Sequence, residues 1–407
     1  MIEDPKNGRR PVVEDTDKGR TASQAAVKIC AGASYDWSRL ETNDDLDDDW
    51  GPILGAWEGW AADPDVRFKG SSGGAATALS EFAITSGLVD GIAHTAASAS
   101  DPRLNSTVIS HSREELMRGV GSRYSQASPA EALGKMFTNR QNLGFVGKPC
   151  DVASIWKAKD EFGLKDRVPL MIAIFCAGAP NLHATRDLLK ELQVPKGAKL
   201  VNLTYRGNGW PGKMRAAWQD EFGRHHKSKS ISYSLGWGGI LQSGRRWRCR
   251  VCADHTGAFA DISVGDPWHS PPTNDTEAGR SLIIARTPAG VRLIEAAINA
   301  GVLVAEQRPR RVIEDAQPNL KTALGAVWGR TYAMRTVGLA APKTQGQKLF
   351  RNWMRATSKH KLQSLAGTWR RILREKLRRP VRISIDPTEN VVSKRPSAQL
   401  AAERAAQ

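Results

Sequence analysis

The chain has 407 residues, enough for two or three domains, with the apolar (40%) and charged (25%) content of an ordinary globular protein. No stretch approaches the roughly eighteen consecutive apolar residues that a membrane-spanning helix needs. Residues 1–6 lack the charged-then-apolar pattern of a secretory signal. These features predict a cytoplasmic protein.

The net charge of +17 is distributed unevenly. Residues 343–407 contain sixteen Lys and Arg but only four Asp and Glu, a net of +12, so the first 342 residues carry only about +5. Because the basic character belongs to a tail, it does not predict that the body binds nucleic acid.

The N-terminal quarter is predicted to contain little regular structure before a glycine-rich turn. Residues 1–25 are polar with no apolar period, and we predict a disordered arm. Residues 27–60 indicate irregular structure wrapped on a core, and the body begins near Trp57. A Gly/Ser turn at residues 70–74 leads into a helix of small residues that ends at Gly87.

Strand-like and helical segments then alternate, which indicates an α/β (α+β) body with a mixed sheet over residues 26–342. Apolar runs predict strands at 88–94, 142–147 and 169–176, and composition predicts helices at 130–136 and 151–162. Beyond residue 199, strands are predicted at 200–205, 213–218, 231–235, 260–264 and 281–286, followed by a helix at 290–300.

Five cysteines remain to be explained: Cys30, Cys150, Cys176, Cys249 and Cys252. An odd number in a cytoplasmic chain argues against a disulfide framework. Two thiolates separated by two residues, as in Cys249–Cys252, can face one metal ion or two corners of a cluster, and Cys150 and Cys176 are placed where strands leave a sheet. Three interpretations stay open: a [4Fe–4S] cluster held by four cysteines, a zinc site completed by His255, or inert buried thiols.

Two glycine-rich segments have the composition of phosphate-binding loops. Gly70–Gly74 precedes a helix, so its backbone N–H groups and the Ser71 and Ser72 hydroxyls could cradle a phosphate, although an ordinary helix cap explains it equally well. Gly207–Gly212 spells G-x-G-x-x-G, but a strand rather than a helix is predicted to follow it. We interpret that match as coincidental.

Taken in order, these segments resemble the β-subunit family of coenzyme F420 hydrogenases and dehydrogenases, from about Cys30 to Leu303. The segments that carry the resemblance are Gly70–Leu79 with Gly87–Asp90, Arg123–Pro129, Gly144–Ala153, Phe175–Pro180, Tyr205–Gly212, Arg248–Asp254, Ala260–Trp268 and Gly279–Thr287. Their shared order and spacing are more specific than any one of them.

The resemblance implies a flavoprotein that holds FAD beside a [4Fe–4S] cluster and exchanges a hydride with a deazaflavin or similar small molecule. It assigns the cluster to Cys150, Cys176, Cys249 and Cys252. It assigns the flavin site to Gly70, Ser71, Ser72, Gly73, Gly74, Thr77, Tyr124, Ser125 and Ser128, with Lys148 as the catalytic candidate and Asp266 at the site edge. A separate electron-transfer protein is the implied partner.

The sequence departs from the family pattern near its start. Many members carry an N-terminal ferredoxin-like module, but no cysteine precedes Cys30 here, and Cys30-Ala-Gly stands where relatives often have Cys-Pro-Gly. The sequence therefore supports at most one cluster. Because some members occur with polysaccharide-modifying enzymes, the alternative is a non-catalytic electron-transfer or binding subunit, zinc-stabilised and associated with polysaccharide modification.

Residues 343–379 are predicted to form a basic amphipathic helical region, and residues 380–407 a disordered tail. The helical region has twelve Lys and Arg and one acid, Glu375. Such a helix packs on the body, or contacts an anionic membrane surface or an acidic partner; nucleic acid is not favoured.

Overall fold

A computed structural model describes residues 2–4, 8–10, 16–40, 45–138, 141–163, 165–274 and 277–378. The strands, in chain order, are β1 (Ile2–Asp4), β2 (Gly8–Arg10), β3 (Ser34–Asp36), β4 (Leu46–Asp47), β5 (Gly51–Pro52), β6 (Gly55–Ala61), β7 (Gly91–Ala97), β8 (Asn105–Ser110), β9 (Leu143–Gly147), β10 (Met171–Ile174), β11 (Lys199–Thr204), β12 (Lys213–Gln219), β13 (His225–Lys227), β14 (Ile231–Ser232), β15 (Ile262–Gly265), β16 (Ser281–Ala285), β17 (Leu303–Arg308) and β18 (Lys343–Gln345).

The α-helices in these ranges are α1 (Asp17–Ile29), α2 (Pro64–Lys69), α3 (Ala75–Thr85), α4 (Arg113–Arg118), α5 (Leu133–Thr138), α6 (Pro149–Glu161), α7 (Leu182–Glu191), α8 (Trp247–Arg250), α9 (Pro288–Asn299), α10 (Val312–Ala316), α11 (Pro318–Gly325), α12 (Val327–Arg335), α13 (Leu349–Arg355) and α14 (Ser358–Arg374).

Eight strands form the central sheet, in the order β17-β6-β16-β15-β10-β9-β7-β8. The middle strands β15, β10, β9 and β7 are parallel, whereas β8 on one side and β16, β6 and β17 on the other pair antiparallel. The predicted mixed-sheet α/β body is therefore confirmed. The carboxyl ends of the parallel strands meet at one edge, where open α/β sheets bind ligands.

Helices cover both faces of this sheet because successive strand residues point to opposite sides. On β10, Ile172 packs in the cluster that contains Leu79 of α3, whereas Ala173 packs in the cluster that contains Ile155 of α6. A third cluster joins Ile284 of β16 to helices α10 and α11. The result is a three-layer core with the sheet in the middle.

A smaller antiparallel sheet of β11, β12 and β13, with β14 paired to β12, stands beside the main one. Its apolar side packs with α7 through Leu188, Leu203 and Met214, all of which are buried. The loop between β11 and β12 and the segment after β14 both reach the carboxyl edge of the central sheet, so this sheet supplies one wall of the site described below.

The C-terminal helices pack on the segment that contains Cys249 and Cys252. Ile372 of α14 lies in one buried cluster with Val251, and Leu349 of α13 lies in another with Ala253. Among the residues that the structure describes, no helix is both long and apolar enough to cross a membrane.

Two predictions for the N-terminal region are wrong in part. The predicted disordered arm includes residues of α1. Thr16 caps this helix, because its hydroxyl accepts the Gly19 N–H at 3.0 Å. A Lys28–Glu161 ion pair of 2.7 Å connects α1 to α6. The region predicted to be irregular contains β6, which lies inside the central sheet between β16 and β17.

The predicted strand at 231–235 is also shorter than expected, because the chain enters a π-helix at Ser234–Ile240. The helical prediction for 343–379 corresponds to β18, α13 and α14. The predicted disordered tail, 380–407, and parts of the arm lie outside the described residues.

Candidate functional site

A cavity of about 310 Å³ lies at the carboxyl edge of the parallel strands. Three strands end at it and deliver the residues that follow them: Lys148 after β9, Cys176 after β10 and Asp266 after β15. Pockets for small ligands start near this size. The topology therefore brings into one site side chains that are more than a hundred residues apart in sequence.

The Gly70–Gly74 loop forms one wall of this cavity and leads into α3, as predicted. Gly74 has φ 73°, in the left-handed region, and a Cβ there would lie 2.6 Å from the Val66 carbonyl oxygen. Glycine is required because it alone combines that backbone conformation with that close approach. Gly70, Ser71, Ser72, Gly74 and Thr77 line the cavity.

The serine hydroxyls of this loop also make hydrogen bonds within the protein. Ser72 Oγ donates to the Arg280 carbonyl oxygen at 2.8 Å, and Ser71 Oγ accepts the Ser122 N–H at 2.6 Å. These two hydrogen bonds fix the conformation of the loop. Gly73 is absent from the cavity lining and packs against the backbone of Arg280, so its assignment to the site is not supported by its position.

The segment from Tyr124 to Ser128 lines the cavity through Tyr124, Ser125 and Ala127. Tyr124 and Ser125 line the cavity, and Ser125 Oγ donates to the Arg103 carbonyl oxygen at 2.8 Å. Ser128 is not among the lining residues; its carbonyl oxygen accepts the Thr107 hydroxyl at 3.1 Å. Ser128 thus anchors the segment to β8, and its position does not support its assignment to the flavin site.

The sequence reasoning missed Arg206, which forms a buried ion pair at the cavity wall. Its guanidinium donates to both carboxylate oxygens of Asp266, at 2.7 and 2.9 Å, and to the backbone carbonyl oxygens of Ser71 and Pro211. The Trp210 indole N–H donates to the same carboxylate at 2.8 Å. The sequence feature that could have indicated Arg206 is its position directly before the glycine-rich segment Gly207–Gly212.

The Gly207–Gly212 segment is a loop between the antiparallel strands β11 and β12, and no helix begins in it. Its interpretation as a coincidental match to a dinucleotide fingerprint is confirmed. A Cβ on Gly207 would lie 2.5 Å from the Lys69 carbonyl oxygen, and the Gly209 N–H donates to the Phe68 carbonyl oxygen. The loop therefore supports the Gly70–Gly74 wall from outside.

A second cavity, of about 110 Å³, adjoins the first and is lined by all four predicted ligand cysteines: Cys150, Cys176, Cys249 and Cys252. The two cavities share lining residues, including Lys148, Asp151 and Cys176. Cys30 is not among the lining residues, although Ala31 and Gly32 are. The fold therefore brings together the cysteines that the sequence reasoning grouped and leaves the fifth apart.

The environment of Cys150, Cys176 and Cys252 disfavours the charged form of these thiols. Burial is the main cause of three raised pKa values. The pKa of Cys150 rises to about 11, and the pKa values of Cys176 and Cys252 rise above the ordinary thiol range. Cys249 Sγ accepts the Ala179 N–H at 3.4 Å, and the Cys252 thiol donates to the Asp254 carbonyl oxygen at 2.9 Å. Thiols of this kind stay protonated unless a cation or cluster replaces the proton.

Lys148 stands at the junction of the two cavities. Its side-chain ammonium and its backbone N–H both donate to the Asp151 carboxylate, which fixes the first turn of α6. Burial by itself lowers the pKa of Lys148, but the Asp151 charge and hydrogen bond, together with the neighbouring Cys150 and Cys176, raise it overall, so the side chain stays cationic. A fixed positive charge favours an anionic group in either cavity.

His255 lines the thiol cavity, and its Nδ1 lies 2.8 Å from the Cys176 carbonyl oxygen. Because a carbonyl oxygen only accepts, Nδ1 carries the proton of the neutral ring, and burial lowers the pKa of this histidine. In the described part of the chain, no three His, Cys, Asp or Glu side chains are close enough together to hold a single metal ion.

Family models match most of the region that builds these cavities. The model for the amino-terminal part of the coenzyme F420 hydrogenase/dehydrogenase beta subunit matches residues 56–134, and the model for the carboxy-terminal part of the same subunit matches residues 140–310. Fold and matched regions together define an oxidoreductase subunit. The chain belongs to the coenzyme F420 hydrogenase/dehydrogenase beta subunit family.

Individual relatives agree with this membership. The chain is 25% identical over 266 residues to the coenzyme F420 hydrogenase subunit beta of Methanothermobacter thermautotrophicus, covering 64% of this chain and 85% of that one. It is 27% identical over 278 residues to the subunit of the same name from Methanosarcina barkeri, covering 64% and 82%. A chain of the F420-reducing [NiFe] hydrogenase complex from Methanosarcina barkeri matches in fold, with a TM-score of 0.54, 19% identity and coverage of 74% and 98%.

Proposed function

We propose that this protein is a flavin- and iron–sulfur-dependent oxidoreductase subunit, with FAD in the larger cavity and one [4Fe–4S] cluster in the smaller. The observation that carries the proposal is the shared wall: Lys148, Asp151 and Cys176 line both cavities, so groups bound in them would be neighbours. Two redox groups must be this close if electrons are to pass between them without leaving the protein.

The larger cavity has the features that a flavin with its phosphates requires. The glycine-rich loop brings backbone close to the space at the start of α3, and a helix N-terminus with neighbouring backbone N–H groups favours phosphate. Tyr124, Tyr233 and Trp268 add aromatic surface, which suits the flavin ring. Buried Arg206 holds Asp266 and the Ser71 carbonyl oxygen in place at the wall.

The smaller cavity fits a cluster better than a single ion. All four cysteines line it, yet they do not converge as closely as the ligands of one zinc ion would. A cluster of four irons is wider than one ion and is held by four separated thiolates. The Nδ1 contact of His255 with a carbonyl oxygen leaves Nε2 as the nitrogen that the zinc alternative would use.

The bound groups supply the redox chemistry: a flavin takes up two electrons with a hydride and releases them singly, and a cluster carries one at a time. The chain itself would bind and orient these groups and would exclude water from them. Lys148 would hold a positive charge between the two groups, and Arg206 would fix the Ser71 loop and Asp266 against the flavin. Burial of the cysteines would keep solvent from the cluster.

The small-molecule partner would be a hydride donor or acceptor such as a reduced deazaflavin, because the similar chains from methanogens are coenzyme F420 hydrogenase subunits. The similar solved structure is a chain of a hydrogenase complex, so we propose that this protein too exchanges electrons with a separate protein. We place it in the cytoplasm, where thiols stay reduced.

Replacement of single cysteines tests the ligand assignment. Cys249→Ser and Cys252→Ser should each lose most of the iron and acid-labile sulfide but keep the flavin, because the flavin cavity contains neither residue. Cys30→Ser is the matched control and should keep its iron, since Cys30 does not line the thiol cavity. Iron content unchanged in both ligand variants would contradict the assignment.

A non-catalytic, zinc-stabilised binding subunit is the alternative, and the same samples distinguish it. That alternative predicts stoichiometric zinc, no flavin and no visible absorbance, and zinc lost in Cys249→Ser and Cys252→Ser in place of iron.

A further inference from the structure

A cap of basic helices covers the Cys-x-x-Cys segment and lies outside the residues matched by the family models, which end at 310. We define the cap as α12, α13 and α14. It is packed on the segment itself: Ile372 lies in one buried cluster with Val251, and the Arg330 guanidinium donates to the Arg250 carbonyl oxygen at 2.6 Å. The cap therefore lies behind the Cys-x-x-Cys segment, which itself lines the thiol cavity.

Four guanidinium groups meet where the cap contacts this segment: Arg245, Arg250, Arg330 and Arg371. Arg250 interacts electrostatically with Arg245 and Arg371, and Arg330 interacts with all three. Arg245 is also next to the cysteines, because its guanidinium donates to the Ala177 carbonyl oxygen at 3.0 Å. Arg371 pairs with Glu375 at 3.3 Å, and the four arginines together still leave a net positive charge that an acidic partner would complement.

The outer face of the cap is exposed and both basic and apolar. Arg370 and Arg374 project from α14, and Leu362, Trp369 and Leu373 lie along it at intervals of seven and four residues, which is one helical face. Leu362 is 67% exposed and Leu373 is 75% exposed, so the described residues of this chain leave the face uncovered. Exposed apolar surface inside a rim of arginine is typical of protein-binding sites.

We propose that this cap is the docking surface for a small acidic one-electron carrier protein. The inference rests on the proposed function, because it uses the cluster as the place where electrons enter or leave. Each encounter passes one electron: the reduced member of the pair loses it, the oxidised member gains it, and no proton or bond is involved. A protein is favoured over a lipid surface because the Trp369 indole N–H is held on the cap by the Ala333 carbonyl oxygen and the Thr336 hydroxyl, at 3.2 and 3.1 Å, and so cannot insert into a bilayer.

Binding of an acidic ferredoxin, measured without turnover, tests the proposal. The full-length holoprotein is titrated with an oxidised, strongly acidic ferredoxin at low ionic strength, and the titration is repeated with the same ferredoxin after its carboxylates have been amidated. Arg370→Gln/Arg374→Gln removes two exposed charges from the cap. Arg118→Gln/Arg292→Gln removes two exposed charges from α4 and α9, which pack with α3 on another face.

The cap variant should bind the acidic ferredoxin roughly fivefold more weakly, with a shallower salt dependence, because each exposed charge contributes modestly. The control variant and wild type should bind equally, and the amidated ferredoxin should bind weakly to all. Equal binding by the cap and control variants would overturn the proposal. So would binding to phosphatidylglycerol vesicles without binding to the ferredoxin. Iron and flavin assays on the same preparations would show separately whether the proposed cofactors are present.

Discussion

The ion pair between Arg206 and Asp266 gives the most quantitative prediction. The Arg206 side chain is 3% exposed and that of Asp266 is 17% exposed, and the guanidinium meets both carboxylate oxygens. In Asp266→Asn the guanidinium stays buried while its counter-charge is gone. Breaking a buried pair from one side costs about 3–5 kcal/mol, and the partial exposure of Asp266 places this case near the lower end, at about 3 kcal/mol.

Urea unfolding followed by tryptophan fluorescence measures this free energy. Asp65→Asn is the matched control, because it breaks the exposed Lys69–Asp65 pair, whose side chains are 50% and 53% exposed, and should cost less than about 1 kcal/mol. The double variant Arg206→Met/Asp266→Asn should be more stable than Asp266→Asn alone, since it removes the stranded charge. Equal, small losses for Asp266→Asn and Asp65→Asn would refute the reasoning.

Two further predictions concern the cavity walls. Gly74→Ala should weaken flavin binding at least tenfold in fluorescence titrations, because its Cβ would meet the Val66 carbonyl oxygen. Gly87→Ala is the control, since Gly87 has a similar φ of 74° but nothing lies within 4 Å of its Cβ position. This control should retain flavin affinity and lose only about 1 kcal/mol of stability. Equal affinities would contradict this account of the loop. In cluster-free protein, the pKa of about 11 leaves on the order of 0.1% of Cys150 as thiolate at pH 8. Alkylation of Cys150 by iodoacetamide should therefore be at least a hundredfold slower than alkylation of free cysteine, and it should accelerate as the pH rises towards 11. Peptide mass spectrometry measures the rate, and a free-cysteine rate at pH 8 would contradict the predicted burial of this thiol.

The sequence predicted those parts of the fold and site that depend on local pattern. β9 and β10 are short apolar runs, and the helix after Gly74 follows a recognisable turn. The four cavity cysteines could be grouped because ligand spacing and strand ends are visible in sequence. In each case the informative residues are neighbours along the chain.

The missed features depend on pairing over long distances. β6 is buried along almost its whole length between two strands that follow it by more than two hundred residues, so it lacks the alternation that marks a half-exposed strand. Arg206 looks like a surface residue in sequence, because its counter-charge, Asp266, is sixty positions away. No local signal shows that such a charge is buried.

The measurement that tests the central claim most directly is a visible spectrum of anaerobically purified protein, with flavin, iron, sulfide and zinc determined on the same sample. The two adjoining cavities predict about one flavin and about four irons per chain, with flavin bands over a broad iron–sulfur absorbance. A colourless protein that contains zinc, or no metal, after anaerobic reconstitution would contradict the claim and leave only the fold in common with its relatives.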